Sequence, residues 1–204
     1  MPRFPPARPR NLGARRAAVG YALLAALATA LALGLRDGVP WTHPSPWLAL
    51  GDATGALVSA VAGIAFALVI CLGTRLAVSR FAWAQRLHRE LRPVARDLTI
   101  AEILLLAGLS GLGEELLFRG LLVPWLGVLP AAALFGLAHQ IRGPSRWVWV
   151  GWASAVGLGL GALFAATGSL LGPFLAHALV NAVNLSFLRD HEPDGAGHDG
   201  AQVA

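Results

Sequence analysis

The chain has 204 residues, 56% hydrophobic and 13% charged, with net charge +5 and mean hydropathy +0.62. A soluble domain carries about 25% charged residues, so this surface belongs in lipid and not in water. All sixteen basic residues are arginines set around apolar runs, which speaks for a membrane and against nucleic acid; the one cysteine, Cys71, excludes an internal disulfide.

Residues 1–16 are rich in Pro and Arg and are expected to be disordered. The apolar run 17–35 follows Arg15 and Arg16 and reads as a retained signal-anchor. It is longer than the roughly 7–15 apolar residues of a cleaved signal peptide. Further apolar segments lie at about 53–74, 98–123, 127–141, 147–167 and 169–188. The fold class is therefore all-α, a polytopic bundle of about six transmembrane helices. Between the second and third, residues 75–97 interleave Leu76, Phe81, Trp83, Leu87 and Leu91 with arginines. That pattern reads as an amphipathic helix on the cytoplasmic leaflet, in contact with membrane lipids. The chain thus divides into a basic N-terminus (1–16), two spans with the interfacial helix (17–97), a core (98–188) and a disordered polar tail (189–204).

Arginines cluster before the first span, in the second connection (Arg75 to Arg96), in the fourth (Arg142, Arg146) and at Arg189. The positive-inside rule then puts both termini in the cytoplasm. Arginine-only basic usage with abundant Ala and Gly suggests a bacterial cytoplasmic membrane. Glycines at 108, 111 and 113, and at 157, 159 and 161, predict close helix contacts and not a ligand loop.

Against this apolar background six polar side chains stand out. The third span carries Glu114, Glu115 and Arg119, the fourth His139, and the sixth His177 and Asn181. Each ionisable group costs roughly 2.5–3.5 kcal/mol at a helix centre, so six in three spans predict one shared internal site. Glu115 and Arg119 share a face and can pair, while Glu114 is turned about 100° away toward another partner. His177 and Asn181 share a face, as do Phe135 and His139. Counted from the outer turns, Glu114, His139, His177 and Asn181 fall roughly 14–21 Å deep at 1.5 Å per residue.

Such a cluster suits hydrolysis. A carboxylate can take a proton from water, an imidazole can hold the water or protonate a leaving amine, and an amide can donate to an oxyanion. Glu114, His139 and His177 are also donors suited to zinc, although no H-E-x-x-H stretch is present.

Glu114-Glu115-x-x-x-Arg119, Phe135-x-x-x-His139 and His177-x-x-x-Asn181 resemble, in order, the three motifs of the CPBP family. These are the CAAX-processing and bacteriocin-processing intramembrane proteases, also called Abi. The stretch Thr167-Gly-Ser-Leu-Leu-Gly-Pro-Phe-Leu-Ala-His177 resembles the family's lead-in to its third motif. The resemblance covers about residues 98–188. It implies a helical bundle around a water-filled cavity and an endopeptidase acting on a membrane-associated protein or peptide. It further implies that Glu114 activates water, His139 holds that water or a metal, and His177 and Asn181 form the oxyanion site. Glu115 and Arg119 would balance charge, with Phe135 packed beside His139. Zinc on Glu114, His139 and His177 is implied only if the site is metal-dependent. A non-catalytic scaffold or immunity factor, and a proton relay, are the competing readings of the same residues.

Overall fold

The computed structural model describes residues 12–36 and 38–193. Among them the chain is helical: α1 (Leu12–Leu35), α2 (Asp52–Arg80), α3 (Ala82–Leu91), α4 (Ile100–Glu115), a π-helical continuation (Leu116–Leu122), α5 (Val123–Leu126), α6 (Val128–Ala138), α7 (Arg146–Thr167) and α8 (Leu171–Asp190). Four helices, α1, α2, α7 and α8, are long and apolar enough to cross a membrane. Their outward faces carry Leu23, Leu27, Val61, Leu68, Val69 and Leu158 in the open, as lipid solvent requires.

The other two expected crossings differ from that pattern. Helix α4 turns π-helical at Leu116, and α6 has only 11 residues. At 1.5 Å per residue α6 is roughly 16 Å long, about half the hydrocarbon thickness. The amphipathic stretch is also shorter than 75–97. Residues 75–80 complete α2, and Phe81 is extended (φ −125°, ψ 127°) and breaks the helix before α3.

Both ends of the chain carry more helix than expected. Helix α1 reaches back to Leu12 because Ala14 packs with Ala95, Leu98 and Ile103, which draws Leu12–Arg16 out of the predicted disordered segment. Helix α8 likewise includes Arg189 and Asp190. The disorder expected for residues 1–11 and 194–204 lies outside the described residues.

Helix α4 sits between α1 and α8; α2 packs on α8, and α7 on α6. Thr99 starts α4 with a capping box: its hydroxyl accepts from the Glu102 N–H, and its own N–H donates to Glu102 Oε2 at 2.8 Å. Glu102 therefore has a structural partner in Thr99. The α2–α8 crossing depends on glycine. A Cβ on Gly63 would collide with the Gly172 backbone, and one on Gly172 with Ser59. The second glycine group works as predicted, Gly157 against Phe135, Gly159 against Phe66 and Gly161 against Val128.

Candidate active site

Glu114 and Glu115 end α4 on two different faces, as the 100° step per residue requires. Glu115 is fully buried and pairs with Arg119, which is 1% exposed, at 2.8 Å. The guanidinium also donates to the Gly157 carbonyl at 3.0 Å and lies 4.5 Å from the Phe135 ring centroid. The π-helical stretch contains Arg119 and carries the chain from Glu115 toward α7. Inserted π turns of this kind recur at functional sites.

His139 is not inside a helix. It is the residue that ends α6 (φ −89°, ψ 54°), and its Nδ1 donates to the Phe135 carbonyl at 2.7 Å. Phe135 and His139 are in direct ring contact all the same, with centroids 4.4 Å apart and the planes tilted by 41°. His177, on α8, gives its Nδ1–H to Glu115 Oε1 at 2.7 Å.

These two hydrogen bonds set the tautomers. In each neutral ring the proton is on Nδ1, so Nε2 presents a lone pair. Both Nε2 atoms face Glu114 Oε2, at 3.5 Å from His139 and 3.8 Å from His177. That oxygen is buried and makes no hydrogen bond. Three acceptors therefore converge on one point, an arrangement that favours a proton donor among them.

Asn181 lies one turn beyond His177 and donates its amide to Ser110 Oγ at 2.9 Å. Glu114, His139, His177 and Asn181 all line one cavity of about 350 Å³. Its remaining wall is chiefly apolar and extends to Ala84, Leu87 and His88 on α3. All six predicted residues, Glu114, Glu115, Arg119, His139, His177 and Asn181, are thus gathered around Phe135 and this cavity.

Two residues escaped the sequence reading. Ser110, on α4, supports Asn181. Tyr21, on α1, lines the same cavity as Glu114. Its signal was available, since it is the chain's one tyrosine and stands inside an apolar span.

The donor types of Glu114, His139 and His177 suit zinc. Among the described residues, however, no group of three or more His, Cys, Asp or Glu side chains is arranged to hold a metal ion.

Residues 96–183 match the family model of the Rce1-like type II CAAX prenyl endopeptidases. The motif resemblance in the sequence is thereby borne out over this segment, which is similar to a family of proteases, and the apolar helices support the coarser reading of an integral membrane protein. The Rce1-like segment holds every predicted site residue, whereas α1, α2 and α3 lie outside it. The uncharacterized protein YpbD of Bacillus subtilis (strain 168) is 34% identical over 85 residues, 42% of this chain and 44% of that protein. The chain thus spans less than half the length of this relative. No solved structure matches the chain.

Proposed function

We propose that the protein is an intramembrane endopeptidase that hydrolyses a peptide bond of a membrane-associated protein or peptide, CAAX-like or bacteriocin-precursor-like. The observation that carries this reading is the buried Glu114 Oε2, without a hydrogen bond, facing two imidazole lone pairs. A water there donates one proton to Glu114 and the other to His139 Nε2. Glu114 takes its proton as the water oxygen attacks the scissile carbonyl, and that proton then goes to the leaving amine. The oxyanion takes a hydrogen bond from the second N–H of Asn181, whose first goes to Ser110. His177 Nε2 adds a donor when the ring carries both protons, with Glu115 on its Nδ1–H side. Glu115 and Arg119 balance each other's charge beneath this ring.

In the membrane we propose six crossings with both termini cytoplasmic. The third runs through α4 and its π-helical continuation, and the fourth combines α6 with the non-helical stretch after His139. Helix α3 lies on the cytoplasmic leaflet, its arginines among lipid head groups.

The test compares new peptide termini in membranes of cells carrying the wild type or Glu114→Gln at matched expression. Termini unique to the wild type are expected. Identical profiles, with the wild-type phenotype retained by Glu114→Gln, would replace the protease with a non-catalytic scaffold. Parallel samples with a chelator, then with added zinc, decide whether activity follows the metal.

A further inference from the structure

Helix α1 meets the bundle along one seam. Its buried residues are Ala14, Ala18, Ala25, Ala28 and Ala32. Tyr21 fills the remaining place in that seam, which runs 14, 18, 21, 25, 28, 32 in alternating steps of four and three. Alanine lets two backbones approach closely, and they do so beside Glu114. A Cβ on Gly113 would stand 2.8 Å from the Tyr21 carbonyl oxygen and 3.4 Å from the Ala25 nitrogen. The larger apolar side chains Val19, Leu23 and Leu27 are exposed instead. The seam therefore admits one large polar side chain, and that tyrosine lines the same cavity as Glu114.

The Glu114 carboxyl needs such a partner. Its terminal torsion is soft and roughly two-fold. Oε2 has no hydrogen bond to hold it toward the imidazoles. A hydroxyl donor on the carboxyl limits that rotation at small entropic cost, because tyrosine has few rotatable bonds.

We propose that Tyr21 is a positioning residue, holding the Glu114 carboxylate so that Oε2 faces His139 and His177. This rests on the endopeptidase reading. It also extends the machinery beyond the family-matched segment 96–183, into a helix that the family model leaves out. Because Tyr21 acts through Glu114 and not on the substrate, its loss falls on kcat and not on KM.

The single tyrosine makes the test site-specific. Biosynthetic 3-fluorotyrosine labels this position alone in the full chain. In nanodiscs the ¹⁹F resonance is expected to move with Glu114→Gln and to stay with Glu102→Gln, a change on the same helix that preserves the capping box. Tyr21→Phe, which keeps the ring and therefore the seam, is expected to lower kcat about tenfold with KM within about twofold. A resonance indifferent to Glu114→Gln, or Tyr21→Phe with wild-type kcat, would overturn the proposal. If Tyr21→Phe does not fold, the ¹⁹F comparison decides in its place, a resonance indifferent to Glu114→Gln counting against the role. A wild type that cleaves nothing overturns the endopeptidase reading and the catalytic role together. The ¹⁹F comparison still decides the Tyr21–Glu114 contact by itself.

Discussion

Replacing Arg119 by methionine removes a charge from a place water does not reach. The guanidinium is 1% exposed and its partner Glu115 is 0% exposed, so the carboxylate left behind cannot be rescued by solvent. Two charge-assisted hydrogen bonds go with it, to Glu115 Oε1 at 2.8 Å and to the Gly157 carbonyl at 3.0 Å. The Phe135 face loses its cation as well. Breaking a buried pair from one side costs about 3–5 kcal/mol, and that is the loss expected for Arg119→Met. Glu115→Gln should cost a similar amount, because it strands the arginine. The double variant strands neither charge, and the glutamine carbonyl still accepts from His177 Nδ1–H. It should therefore fall short of the sum of the singles by at least about 2 kcal/mol. Reversible unfolding of the full chain in mixed detergent micelles measures all four corners of the cycle. Additive losses would show that Glu115 and Arg119 are not coupled, and would refute the charge-balance argument.

Other expected outcomes concern packing, substrate chemistry and pH. Gly172→Ala forces a methyl group into the Ser59 backbone and should cost about 1–3 kcal/mol or more in the same unfolding assay. Gly108→Ala meets nothing within 4 Å and should be neutral or stabilise by up to about 1 kcal/mol. Ser110→Ala frees the Asn181 amide and should lower kcat several-fold with little change in folding, since the lost hydrogen bond is worth about 1 kcal/mol. His88 on α3 is buried, donates from Nε2 to the His191 carbonyl at 2.8 Å, and is edge-on to Phe187. Burial, with nearby His191, Arg92 and Arg89, holds its pKa below 6.5, the His191 carbonyl opposing. The unfolded state therefore binds the proton first. Stability is complete above about pH 6.5 and declines as pH falls through that value toward the lower folded pKa. Limited proteolysis around α3 should quicken across that window in the wild type and lose its pH dependence in His88→Phe.

The site was legible in the sequence because charge in lipid is rare and helical phase is rigid. The separation of Glu114 from Glu115 and the Glu115–Arg119 pair follow from helix phase, and the convergence of His139 and His177 from their common depth. What escaped depended on tertiary contacts. Leu116–Leu122 reads as ordinary apolar helix, and its π geometry accompanies the reach of Arg119 to Gly157. Nothing local marks Ala138 as the end of α6, since the sequence before Gly143 stays apolar or neutral up to Arg142. Ser110 hid among the glycines of α4. Tyr21 was readable as the odd member of an alanine seam, but only once α1 was known to face α4.

The order of the helices along the chain also sets a schedule. Tyr21 enters the bilayer with α1, Glu114 follows on α4, His139 comes at the end of α6, and His177 arrives last on α8. A ribosome still making α7 therefore holds a carboxylate with one imidazole at most, and Glu115 has no His177 to receive. Under the endopeptidase reading, the nascent chain is harmless to its neighbours at the insertion site until α8 docks. Biogenesis itself would serve as the safety catch.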